Sequence, residues 1–344
     1  MMKAGSRPVE IIGGGLAGLA LGIGLRRAGV TVKVIEAGDY PRHRVCGEFI
    51  AGLPEQTVRR LGIESVFEGA LRHAGVHWFR GNRPVARMRL PSPAIGVSRF
   101  VLDARLASLF VEHGGELVTC ERVMGEITGE GRVQVAGRRR SVDSPWVGLK
   151  AHVRNLSLSD DLELHLGDGV YFGLSPVGDG WINACGLFRR KGVLKGDSSH
   201  ALAETLRGRG LDALAKRIEE AEFCAGSATA VAGFVFDARV APRRGVMLGD
   251  NCAMIPPFTG HGMAMAFIAA ELALEPLVDW AEQRASWEET SVRAHKALHR
   301  TFRTRLRSAQ LLHPLLLGRS GQAFLSALAR NHVLPMRALY HLLH

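Results

Sequence analysis

The chain has 344 residues, is 47% apolar and carries a net charge of +11 at neutral pH. That length and apolar share describe a folded protein large enough for two domains, and they exclude a disordered or fibrous chain. No run of about twenty apolar residues predicts a transmembrane helix, the residues before Val9 lack the apolar stretch of a secretory signal, and no nucleic-acid motif accompanies the charge, which points to an anionic membrane surface or substrate instead.

The first predicted elements form a βαβ unit. Val9, Ile11 and Ile12 read as a strand buried on both faces. Gly13-Gly14-Gly15-Leu16-Ala17-Gly18 follows as a G-x-G-x-x-G and opens a helix. Gly13 suits a tight turn, Gly15 has no side chain to block a pyrophosphate, and Gly18 lets helix and strand close on each other. The helix would aim free N–H groups at that phosphate. A second strand, Val30 to Ile35, ends in Glu36, where a carboxylate can accept from both ribose hydroxyls. Strand, glycines, helix and acid together predict a dinucleotide site.

Arg42, His43 and Arg44 then precede Cys46-Gly47-Glu48, a basic loop able to lay its backbone on a flat ring. Leu53 to Leu61 predicts a short helix, and Val76–Phe79 with Val85–Leu90 predicts a β-hairpin inserted into the α/β pattern. Ser98-Arg99 opens a helix with Leu102, Leu106 and Phe110 at helical spacing, followed by strands at Glu116–Val123 and Gly131–Val135.

From Pro145 to Phe188 several strands adjoin without helices, which predicts an antiparallel sheet and a second domain. Its faces carry Trp146, Lys150, His152, His165, Tyr171 and Asn183, of which one or two are expected to line a pocket. Helices at Ala201–Leu206 and Leu211–Glu219 follow. Next comes a second motif, GDNCAMIPPFTGHGM: a strand from Val246 ends in Gly249-Asp250, Pro256-Pro257 stiffens the loop, and Gly260-His261-Gly262 opens a long apolar helix at Met263. Asp250 suits a polyhydroxyl chain and the helix N-terminus an anionic ring edge. From Thr290 onward there is no acidic residue. Basic and apolar residues alternate there at helical spacing, as in an interfacial helix. Five scattered cysteines with no C-x-x-C fit a reducing cytoplasm and supply no metal site.

GGGLAG with Glu36, RVCGEF and GDNCAMIPPFTGHGM occur in the order that resembles flavoproteins of the p-hydroxybenzoate hydroxylase fold group, and within it the geranylgeranyl reductase and flavin-dependent halogenase branch. SRFVLDARL adds to the likeness, which covers Val9 to Trp280. The resemblance implies an α/β fold with a Rossmann-like FAD-binding domain built on a parallel sheet (1–70, 98–143 and 235–285), an interleaved antiparallel β-sheet substrate domain (71–97 and 144–234) and a C-terminal helical segment (286–344). It implies that Gly13, Gly15, Leu16, Ala17 and Gly18 meet the FAD pyrophosphate and that Glu36 and Ala37 meet the adenosine ribose. Arg44, Cys46 and Gly47 would lie along the flavin, Arg99 near the phosphates or ribityl, and Val123 against adenine. Asp250 would hold the ribityl chain, with Pro257, Gly260, Gly262 and Met263 along the flavin edge. His43, Cys46 and His261 are the nearest titratable groups and the candidate catalytic residues.

Two departures matter. Where hydroxylases of the group carry Asp-Gly, this chain reads VAGRRRS, with Gly137 and no aspartate, which speaks against fast direct reduction by NAD(P)H and leaves NAD(P)H as a reductant acting through a separate reductase partner as the expectation beside it. The halogenase W-x-W-x-I-P signature is absent, the nearest stretch being GWINACG. The expected activity is that of an FAD-dependent oxidoreductase on a small hydrophobic substrate. A monooxygenase using reduced flavin and O₂ comes first, with a reductase saturating carbon–carbon double bonds of an isoprenoid or polyene lipid as the alternative. Outside enzymes, the alternative is a flavin-binding protein without turnover. The expected location is cytoplasmic, with peripheral membrane contact through the basic C-terminal helices.

Overall fold

The structure, a computed structural model, describes residues 6–125, 129–138, 141–190, 199–236, 240 and 245–343. Parts of the expected FAD domain, residues 1–5, 126–128, 139–140, 237–239 and 241–244, lie outside the described residues. In chain order the elements are β1 (Val9–Ile12), α1 (Leu16–Arg27), β2 (Val32–Ile35), β3 (Phe49–Ile50), α2 (Glu55–Leu61), β4 (Leu71–Arg80), β5 (Arg83–Gly96), α3 (Arg99–Glu112), β6 (Glu116–Val118) and β7 (Arg132–Gln134). The second half adds β8 (Trp146–Arg154), β9 (Leu162–Gly167), β10 (Val170–Gly178), β11 (Trp181–Arg189), α4 (Ser199–Arg207), α5 (Asp212–Glu220), β12 (Glu222–Phe223), β13 (Thr229–Ala232) and β14 (Val246–Met247). Four helices close the chain: α6 (Gly262–Ala281), α7 (Trp287–Leu317), α8 (Arg319–Arg330) and α9 (Met336–Leu343).

The first sheet has the order β14-β7-β1-β2-β6 and is parallel throughout. Its central strands are apolar on both faces because helices cover both. Helix α1 is buried from Leu16 to Leu25, as a helix sandwiched between sheet and α6 must be. A Cβ on Gly18 would stand 2.0 Å from the Gly13 carbonyl oxygen, so only glycine permits this approach of helix and strand.

The second sheet runs β12-β8-β11-β10-β9-β4-β5-β3 and is mixed: β4 pairs parallel with β9 and the other pairings are antiparallel. No hairpin joins β4 to β9, so nothing local dictates antiparallel pairing there. The inserted hairpin thus extends the second sheet, which is mixed where an antiparallel one is expected. Phe49 and Ile50 belong to this sheet through β5, which makes the Cys46–Glu48 loop the bridge between the two sheets.

Strand β6 stops at Val118, short of Val123. Beyond it the Cys120 N–H donates to the Gly38 carbonyl and the Glu121 N–H to the Glu36 carbonyl, with Cys120 in the left-handed region. The chain leaves the ladder to satisfy the backbone of the loop after β2. The C-terminal helices lie on the body of the protein. Leu316 and Leu325 join Leu166, Tyr171, Leu187 and Phe234 in one apolar cluster. No described helix is long and apolar enough to cross a membrane.

Candidate active site

The opening turn is held from both sides. Gly13 N–H donates to the Ile35 carbonyl at 2.8 Å, and Gly14 N–H donates to Glu36 Oε2 at 2.8 Å. Glu36 is buried, and its other oxygen accepts from Gly38 N–H at 3.0 Å and Arg42 Nη2 at 2.5 Å. Gly13 has φ of +119°, and a Cβ there would strike the Val135 carbonyl. Gly15 is different: a Cβ there meets no protein atom within 4 Å. The space in front of Gly15, at the N-terminus of α1, is where a pyrophosphate fits.

An arginine cluster faces the same cleft. Asp103 is buried and binds Arg99 through both oxygens (2.6 and 2.7 Å) and Arg44 Nε at 2.9 Å. Arg44 Nη2 is buried without a hydrogen-bond partner among the described residues, a donor of the kind an anionic group would use. Asp250 reaches solvent yet sits deep among Arg99, Arg138 and Arg44, and crowding by the protein raises its carboxyl above the usual range against the pull of those charges. Gly260, in the left-handed region, turns the chain into α6, whose N-terminal N–H groups begin at Gly262 and Met263. These features fit FAD: an open glycine cradle, an arginine whose Nη2, 4.0 Å from Glu36, lacks a hydrogen bond among the described residues, an aspartate in the cleft and a second helix N-terminus.

Between the sheets and the tail lies a cavity of about 240 Å³. Cys46, Gly47 and Phe49 line one side, Tyr171, Leu174 and Leu187 another, and Leu312, Leu316, Leu325 and Leu343 close it. Among the described residues no Lys, Arg or His lines it, and Glu163 is the one charged lining residue. Burial alone would push Glu163 up, but hydrogen bonds from His165, Arg217 and Ser159 hold it well below the carboxylate range and turn it away from reaction.

The Cys46-Gly47 loop is fastened by the substrate sheet. Asn183 Nδ2 donates to the Cys46 carbonyl at 2.9 Å and Ser175 Oγ to the Gly47 carbonyl at 2.8 Å. Directly after it, Glu48 occupies the left-handed region at φ 55°. Its Oε1 accepts from Arg99 N–H at 3.0 Å and pairs with Lys150 Nζ at 3.2 Å, while its Oε2 accepts from His152 Nε2 at 2.5 Å. Burial would raise Glu48, but the His152 hydrogen bond and the Lys150 charge win and hold it low. The Lys150 ammonium also donates to His43 Nδ1 at 3.0 Å. Burial and that ammonium lower His43 to about 4, so its ring is neutral with the proton on Nε2.

Of the candidate catalytic residues, Cys46 lines the cavity, and burial pushes its thiol up so that it stays protonated. His43 belongs to the Lys150 cluster. His261 is fully buried, with Nδ1 on the Ala51 carbonyl at 3.0 Å and Nε2 against Arg305 at 2.9 Å, an arrangement that ties α7 to the start of α6. Among the sheet residues, Tyr171 lines the cavity and Asn183 holds the Cys46-Gly47 loop. Lys150 and His152 share one strand face two residues apart, a spacing visible in sequence. Their partner Glu48 carried no such signal. Nor did His313 of α7, packed among Trp146, Tyr171, Phe236 and Phe258 and lowered by burial to about 4.

Comparison with known proteins agrees with this geometry. The family model of pyridine nucleotide-disulphide oxidoreductases matches residues 8–74. Menaquinone reductase of Mycobacterium tuberculosis (strain H37Rv) is 25% identical over 320 residues, covering 79% of this chain and 76% of that protein. Menaquinone reductase of Mycolicibacterium smegmatis is 28% identical over 121 residues, covering 34% of this chain and only 29% of that protein. Among solved structures, the flavin-dependent brominase Bmp2 superposes with TM-score 0.72 at 19% identity, covering 97% of this chain and 92% of its own. A geranylgeranyl bacteriochlorophyll reductase-like protein from Thermoplasma acidophilum superposes with TM-score 0.72 at 15% identity, covering 97% and 95%.

Proposed function

We propose that this chain, an FAD-dependent oxidoreductase with the fold of the p-hydroxybenzoate hydroxylase group, saturates a carbon–carbon double bond in the isoprenoid tail of a lipid such as a menaquinone. The carrying observation is the cavity: apolar walls and, among the described residues, no basic side chain in its lining and a single carboxylate already committed to Arg217 and His165. Such a space suits a hydrocarbon chain and offers little to orient and deprotonate a phenol, which a hydroxylase would need. The similarity to menaquinone reductases over more than three quarters of the chain supports the same substrate class.

When bound in its reduced form at the Gly13–Gly18 turn and the start of α6, FAD would supply the hydride chemistry. The chain's own task is to hold the tail in place, keep water out and deliver a proton to one carbon of the double bond. In this reading Cys46, protonated on the cavity wall and with its carbonyl pinned by Asn183, gives that proton, and the thiolate left behind regains one from solvent when the product leaves. Leu174, Leu187, Leu312 and Leu316 supply the dry apolar contact. The test is anaerobic incubation of the photoreduced holoenzyme with a menaquinone, followed by mass spectrometry. Gain of a pair of hydrogens in the tail supports the reading. An unchanged substrate anaerobically, with gain of an oxygen atom once air is admitted, would return the protein to the monooxygenases.

A further inference from the structure

The C-terminal helices have two apolar faces. One lines the cavity through Leu312, Leu316, Leu325, Met336, Leu339 and Leu343. The other meets solvent: Leu311 is 78% exposed, Phe324 58%, Val333 60% and Leu342 43%. Inner and outer residues are neighbours in sequence, Leu312 beside Leu311, Leu325 beside Phe324 and Leu343 beside Leu342, so a single layer of helix separates the cavity from the outer face.

The outer face is also charged in one sense only. Arg300, Arg303, Arg307, Arg319, Arg330 and Arg337 are exposed, and none forms an ion pair among the described residues. Outside the tail the exposed arginines are divided: Arg154, Arg207 and Arg284 pair with Glu222, Glu219 and Asp279, whereas Arg83, Arg87, Arg89 and Arg122 form no ion pair among the described residues, so what distinguishes the tail is its lack of any carboxylate. No acidic residue follows Glu289 in the sequence. We infer that this face docks on a bilayer of anionic phospholipid, with the exposed leucines and Phe324 entering the headgroup boundary and the arginines on lipid phosphates. A second copy of the chain is the poorer occupant, because a two-fold contact would set these uncompensated arginines against themselves. The inference deepens the proposed function, since a lipid-borne tail would then have one helical layer to cross, but it does not depend on turnover.

The test is sedimentation of the full-length holoenzyme with vesicles, in the absence of substrate. The protein should pellet with phosphatidylcholine vesicles containing phosphatidylglycerol, stay in solution with phosphatidylcholine alone, and come off as salt is raised. Each basic residue near an anionic leaflet is worth about fivefold in partition, so the triple variant Arg303→Gln/Arg307→Gln/Arg330→Gln should bind roughly a hundredfold more weakly. Phe324→Asp should weaken binding even at low salt. Equal binding to both vesicle types, or an unaffected triple variant, overturns the inference. So does light scattering that shows a dimer which Phe324→Asp dissolves, because the face would then belong to a second copy. Reduction of a detergent-dispersed menaquinone is read separately, so loss of vesicle binding with intact reduction rejects the docking surface and leaves the enzymatic reading standing.

Discussion

Lys150 and Glu48 meet at 3.2 Å with neither side chain exposed to solvent, one from the substrate sheet and the other from the loop that leads out of the dinucleotide domain. The pair, with His152 and the Arg99 N–H, ties the loop bearing Cys46 to β8 of the second sheet and to the start of α3 at once. Removing one member leaves the other charge buried and uncompensated, which costs about 3–5 kcal/mol. Lys150→Met should therefore lower stability by about that amount in denaturant titration. Glu48→Gln combined with Lys150→Met should recover a large part of it, because the double variant buries no lone charge. Additive losses in the two single variants and the double would show that the groups do not act as a pair.

Stability should fall on mild acidification. His313 titrates near 4 in the folded protein because burial disfavours its charged form, against about 6.5 when unfolded. A depressed folded pKa means that the unfolded chain binds more protons between those values. The contribution is fully present above about pH 6.5 and is lost as pH falls toward 4. The loss is on the order of 3 kcal/mol for this site. Thermal denaturation from pH 7 to pH 4 should show a shallower decline for His313→Phe than for the natural chain; parallel curves would remove His313 from the account.

FAD retention should depend on Gly15. A Cβ at that position meets no protein atom within 4 Å, so Gly15→Val should fold with near-normal stability while filling the space a pyrophosphate needs. The expected result is purified protein with its normal circular dichroism and little flavin. A variant that keeps its full flavin content would place the phosphates elsewhere.

Reduction by NADH or NADPH alone should be slow. The strand β7 leads through Val135 and Ala136 to Gly137, which carries no preceding aspartate to engage the nucleotide. Anaerobic stopped-flow mixing should show slow bleaching of the flavin, and addition of a reductase partner should accelerate it. Rapid bleaching by either nucleotide alone would show that another group takes the aspartate's part.

Much of the dinucleotide domain was legible in the sequence because its determinants are local. A turn that demands Gly13, a helix that starts at Leu16 and an acid at the end of the next strand lie within one βαβ unit, and each follows from backbone sterics and spacing. The second motif was legible for the same reason, since Pro256-Pro257 and Gly260 constrain the backbone wherever they stand. The substrate sheet was readable as strands, but not its mixed pairing, because β4 and β9 are joined by no short connection that would set their direction.

What only the tertiary structure decided is who meets whom across long separations. Glu48 finds Lys150 and His152 from over a hundred positions away, and no periodicity encodes that encounter. The tail shows the same division. Its sequence contained alternating basic and apolar residues and so implied an amphipathic helix, but it could not say that Leu312, Leu316 and Leu325 turn inward to wall a cavity while Leu311 and Phe324 face out. Helical periodicity specifies that a helix has faces; which face is buried depends on what the rest of the chain packs against it.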